Sequence, residues 1–195
     1  MSARLLLSVL LVSVLGCAAR TPPVVTKPPR VEEVRAHAAQ LFKDGSALAA
    51  AGDLTRAEQY LATALRQGHD PERSMRALLS VCVRASRLRS ALAYAAPYLM
   101  AHPNDGPLRQ LVAAIHLALG DVRAAERELK RVVARDADAA EAQFLLASIL
   151  QQYPHRETEA AAHFARYVAL RPEGVHAEEA RASLTTIEPG QAQLD

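Results

Sequence analysis

The chain has 195 residues, 50% of them hydrophobic but only 4% aromatic, no Trp, and a formal net charge of +2. That length bounds it to one domain or at most two, and the small charge leaves no electrostatic footprint for nucleic acid. Abundant Ala and Leu with few β-branched runs suit helices packed closely through small residues and disfavour a sheet.

The first segment is an address. "MSARLLLSVLLVSVLGCAAR" carries one early positive charge, Arg4, and an apolar run from Leu5 to Leu15. The run is shorter than the roughly 20 residues a spanning helix needs, so it reads as a secretory signal peptide over residues 1–16. Its end, Val14-Leu15-Gly16-Cys17, resembles a bacterial lipobox. The resemblance implies cleavage before Cys17, which then carries diacylglycerol and an N-acyl chain such as palmitate as the first mature residue. Ala18 rather than Asp follows the cysteine, which by the same resemblance directs the protein to the periplasmic side of the outer membrane. The competing reading is an ordinary signal peptide with an incidental cysteine. With Cys17 lipidated, the second cysteine, Cys82, has no disulfide partner and reads as a small buried hydrophobe.

Residues 17–30 form a tether. "AARTPPVVTKPPR" holds two Pro-Pro pairs and no helical period. Such a segment is extended and semi-rigid, with a reach of roughly 40 Å.

From Val31 the apolar residues fall at helical spacing. "GDLTRAEQYLATAL" begins at Gly52, "GDVRAAERELKRVV" begins at Gly120, and midway between them "SRLRSALAYAAPYL" begins at Ser86. Ala57, Ala91 and Ala125 hold corresponding places, and Ala160 follows after a turn one residue longer. Two helices per unit at a 34-residue period resemble the tetratricopeptide repeat. The first unit carries the resemblance on Leu41, Gly45, Leu48, Gly52-Asp53, Ala57, Leu61 and Ala64-Leu65. The second departs from it with Leu79 and Tyr98 at small-residue positions, and Pro97 is expected to kink or shorten its second helix. The resemblance implies an all-α, right-handed α-solenoid of about four helix pairs over residues 31–188. A C-terminal helix bearing Ala177, Ala180, Leu184 and Ile187 on one face covers its end, and residues 189–195 form a polar tail.

No chemistry is spelled out. The seven histidines lack ligand spacing, and there is no H-E-x-x-H, G-x-S-x-G, phosphate loop or G-x-G-x-x-G. Asp136, Asp138 and Glu141 fit a helix start better than a metal site. No enzyme activity, metal or cofactor is expected beyond the covalent lipid on Cys17, and no small-molecule substrate.

The resemblance places peptide binding on the concave face, lined by the first helix of each pair. The groove is then expected to include Phe42, Lys43, Ser46, Arg73, Arg76, Ser80, Arg84, Gln110, Ala114, Phe144, Ser148 and Gln151. Arg73 and Arg76 share a helix face and either grip a partner's carboxylates or are simply solvated. The expected function is a non-catalytic, lipid-anchored protein-interaction scaffold that assists assembly of an outer-membrane complex of the pilus-secretin or outer-membrane-protein type. The alternative is an adaptor that recruits or regulates peptidoglycan hydrolases or other cell-wall machinery.

Overall fold

The computed structural model describes residues 30–191; the signal segment, Cys17 and nearly all of the tether lie outside the described residues, as do the last four residues. Within them the chain forms α1 (Val31–Ala50), α2 (Leu54–Arg66), α3 (Pro71–Arg84), α4 (Leu88–Ala101), α5 (Gly106–Ala118), α6 (Val122–Arg135), α7 (Ala140–Leu150), α8 (Glu157–Leu170) and α9 (Ala177–Gln191). No strand occurs among the described residues. Each helix packs on its neighbours in sequence and α1 also touches α3, so odd-numbered helices form one layer and even-numbered helices the other. The units are α1–α2, α3–α4, α5–α6 and α7–α8, with α9 covering the end.

Local chemistry sets the breaks. Within each unit the turn passes through one left-handed residue: Gly52 (φ 86°), Ser86 (56°), Gly120 (77°) and His155 (67°). Two glycines adopt this freely, whereas Ser86 and His155 do so against the preference of an L residue. Asp53, Asp70, Asp105 and Asp121 then start the next helix by accepting the backbone N–H of Arg56, Arg73, Leu108 and Ala124 at 2.9–3.1 Å. These bonds satisfy donors that a helix start leaves open.

Small residues let the layers meet. Ala57, Ala91, Ala125 and Ala160 are all fully buried. At Gly45 a Cβ would stand 2.9 Å from Leu61 Cγ, so α1 and α2 are in contact at that point. Tyr167 and Phe164 are the largest fully buried side chains. Cys82 is also fully buried, and burial pushes its thiol up to about 11, which removes its nucleophilic character at neutral pH. Pro97 does not shorten α4, which keeps the 14 residues of α3, α6 and α8.

The units are coupled two by two. The N-caps of the outer helices alternate: Asp53, Arg87, Asp121, Arg156. The two arginines make no side-chain cap bond. Each is instead taken by a glutamate of the preceding unit: Glu58 pairs with Arg87 and also accepts the Tyr94 hydroxyl, and Glu126 pairs with Arg156 at 2.8 Å. Between units two and three this clamp is missing, because Leu92 stands at the glutamate position and Asp121 at the arginine position. The apolar core divides near the same place. One cluster runs from Ala49 to Ile115 and the other from Ala113 to Ala180.

Candidate functional site

The inner layer of odd-numbered helices carries most of the expected site residues. On α1 the Phe42 ring is half-buried and stacks on His69 of the α2–α3 turn, centroids 4.2 Å apart and planes 13° from parallel. Arg73, in the first turn of α3, holds its guanidinium carbon 5.3 Å from the same ring centroid. His69 Nδ1 lies 2.7 Å from Ser74 Oγ, which gives the fully buried Ser74 its hydrogen bond. The three side chains therefore make a shelf: a ring stacked on a histidine, with an exposed guanidinium held near it.

Arg76 behaves differently from Arg73. It bonds Glu72 at 2.8 Å and lies 3.6 Å from Asp105 of the next unit. It lines a cavity of about 510 Å³ with Tyr98, His102 and Asp105. Tyr98 stacks on His102 at 4.3 Å, and burial, reinforced by Asp105 and Glu72, raises the Tyr98 hydroxyl pKa. The two arginines thus do not present a joint, free cationic pair: one faces the preceding unit and the other is neutralised against the following one.

Lys43, Ser80 and Arg84 are exposed. Ser46 and Ser148 turn their hydroxyls back to the carbonyls of Phe42 and Phe144, at 2.8 and 3.0 Å, so neither points its proton outward. Gln110 is half-buried, Ala114 is exposed, and Gln151 is exposed just past the end of α7. Phe144 corrects the expectation. It is only 5% exposed, packed between Tyr167 and His176, and His176 stacks on it at 4.1 Å and 10°. Phe42 and Phe144 hold equivalent places, each covered by a histidine that leads into the next inner helix. At Phe144 the other aromatic rings of unit four close the remaining side, which makes it core and not groove.

A profile of the tetratricopeptide repeat matches residues 83–149. The fold resembles a tetratricopeptide-repeat protein from Parabacteroides merdae with a TM-score of 0.69 at 19% identity, over 80% of this chain. It resembles MamA with a TM-score of 0.67 at 14% identity, over 80% of this chain and 83% of that one. It also resembles YrrB, described as a tetratricopeptide-repeat protein with an unusual peptide-binding site, with a TM-score of 0.64 at 19% identity, over 85% of this chain and 83% of that one. The fold is a tetratricopeptide-repeat solenoid. The chain spans 61% of the length of the Parabacteroides merdae structure. No curated protein matches it in sequence.

In this tetratricopeptide-repeat solenoid the Phe42–His69–Arg73 shelf lies where α1 meets the start of α3, and the Arg76–Tyr98 cavity lies between the start of α3, the end of α4 and the α4–α5 turn. Lys43, Arg73 and Arg84 have no carboxylate partner among the described residues. Sequence reasoning missed His69, Tyr98 and His102. Two of them lie in turns between repeats, and Tyr98 lies on an outer helix, so no inner-helix period points to any of the three. The acidic cluster also resolves: Asp138 is taken by Arg166 of α8. Among the described residues no group of His, Cys, Asp and Glu is arranged to hold a metal.

Proposed function

We propose that this protein is a non-catalytic, lipid-anchored scaffold of the cell envelope, and that it captures an extended segment of a partner protein on its concave face. The observation that carries the reading is the Phe42–His69–Arg73 shelf. A preorganised ring beneath an unneutralised guanidinium receives a carboxylate or an apolar side chain with little ordering cost. Lys43 and Arg84 extend the basic surface along the groove.

The anchor reading rests on Val14–Cys17 and on the Pro-rich stretch that follows. Two acyl chains or more give stable membrane attachment where a single chain does not. Ala18 after the cysteine supports a location on the periplasmic side of the outer membrane, and resemblance to repeat lipoproteins of that kind supports assistance to an assembly of the secretin or barrel type.

The test is co-purification of envelope partners with the tether intact. Arg73→Glu with Lys43→Glu is expected to lose most of the recovered partner at low and moderate salt, with helicity unchanged. Recovery equal to wild type at both salts overturns the concave-face reading. Recovery of a soluble cell-wall hydrolase in place of a membrane complex overturns the assembly role and leaves the scaffold role standing. Palmitate labelling that persists in Cys17→Ser overturns the anchor.

A further inference from the structure

The seam between repeats two and three leaves a groove. It has a volume of about 620 Å³ and is lined by Leu92, Leu99 and Met100 of α4, by Arg109 of α5, and by Glu128 and Arg131 of α6. Met100 is 84% exposed at its edge. The neighbouring seams are crossed by the Glu58–Arg87 and Glu126–Arg156 bridges. Among the described residues no hydrogen bond or ion pair joins α4 to α6.

On the α6 side the groove is lined by Arg131 and its partner Glu128, and an arginine row runs along α6 beside it. Arg123, Arg127, Arg131 and Arg135 follow one another at four-residue spacing on α6, and all four are exposed. Residues four apart on a helix are neighbours, so they form one inclined row, with guanidinium-bearing positions about 6 Å apart along the axis. Only Arg131 has an acidic partner among the described residues, Glu128, which is itself shared with Arg109. Arg123, Arg127 and Arg135 have none.

We propose that this groove is a second docking site, separate from the Phe42–His69–Arg73 shelf, and that it takes an amphipathic helix of a partner protein whose apolar stripe is flanked by acidic residues. The apolar wall calls for Leu-like side chains, and the arginine row calls for carboxylates repeated at the same four-residue spacing. Residues 1–29 contain no Asp or Glu, so that segment lacks the charge that would match the row. A flat anionic membrane is a poorer fit than a helix, because the exposed Glu157 and Glu159 begin the adjoining outer helix α8.

The probe is a fluorescein-labelled synthetic helix of about 15 residues, with a leucine stripe and Glu at every fourth position on one flank. It is titrated with the full chain in mild detergent, beside an otherwise identical peptide carrying Lys for Glu. Saturable binding of the Glu peptide alone is expected. Arg127→Glu with Arg131→Glu weakens it by about tenfold or more, and so does Met100→Glu, whose side chain is too exposed to matter for folding. Circular dichroism shows both variants folded. Equal binding of the two peptides, no binding of either, or wild-type binding by both variants overturns the proposal. Binding to phosphatidylglycerol vesicles without the peptide, lost in the arginine variant, overturns it in favour of a lipid surface. A Met100-dependent dimer that excludes the peptide overturns it in favour of a second copy.

Discussion

Glu58 of α2 reaches across to Arg87 at the start of α4, and Glu126 of α6 does the same to Arg156 at the start of α8. Both glutamates are more than four-fifths buried at the side chain, and the arginines are half-buried. A bond of this kind holds one repeat to the next inside each of the two apolar clusters, and among the described residues none of this kind stands at the seam where the clusters divide. It also gives the chain a double period that the 34-residue repeat alone does not contain.

Glu58→Gln and Glu126→Gln should each destabilise the domain by about 1–2 kcal/mol, between the value of an exposed ion pair and that of a charged hydrogen bond. For a chain of this size that is a fall of about 2–8 °C in Tm. Glu173→Gln, on an exposed turn, serves as the neutral control. Thermal melts in which all three variants match wild type would show that the inter-repeat bridges contribute nothing.

The left-handed turn residues make a prediction of opposite signs. Gly52→Ala and Gly120→Ala force a Cβ into a conformation that costs about 1 kcal/mol, although neither site has a neighbour within 4 Å. Ser86→Gly relieves the same strain and loses part of the gain to the freer unfolded chain, so it should be neutral to stabilising by up to about 1 kcal/mol. Chemical denaturation of the three variants measures this directly, and a stabilising Gly52→Ala would contradict it.

Ala57→Trp and Ala125→Trp should each lower stability by at least about 1–3 kcal/mol, because both alanines are fully buried where helices touch. The effect should exceed that of any single histidine substitution. An unchanged Tm for both would mean that the repeat register is misplaced.

His163 supplies a pH dependence. Burial holds its pKa below the usual 6.5; Lys130 adds to this and Glu159 opposes it. Its Nδ1 lies 2.6 Å from Gln143 Oε1. Because the unfolded chain takes up this proton more readily, the contribution is fully present above pH 6.5 and is lost as pH falls from there toward the lower folded value. Glu126 and Glu159 titrate below their ordinary 4.5 and stay charged through this window: burial opposes the lowering at Glu126 but Arg156 and Lys130 outweigh it, and Arg156 leads it at Glu159. Tm should therefore fall less for His163→Gln than for wild type between about pH 7.5 and about pH 5.5. Equal falls would assign the acid sensitivity to other groups.

The sequence by itself determined the helix pairs, their period and the covering role of α9. Each of these is local: a left-handed turn residue, an Asp cap, an alanine at a fixed interval, an apolar stripe. The period also placed Phe42 and Arg73 on odd-numbered helices, where the structure finds one half-buried and the other exposed. Only the tertiary structure decided what their neighbours are. Phe42 and Phe144 occupy the same repeat position, yet one is half-buried with an arginine near its ring while the other is enclosed by Tyr167 and His176. Arg73 and Arg76 share a helix face, yet Asp105 of the next repeat claims only the second. The open seam also appears only when Leu92 and Asp121, far apart in the chain, stand where neighbouring repeats place Glu and Arg. A helical period states which side a residue faces. It does not contain the charge or ring that another repeat brings to meet it, and that pairing separates an enclosed aromatic from a partly open one.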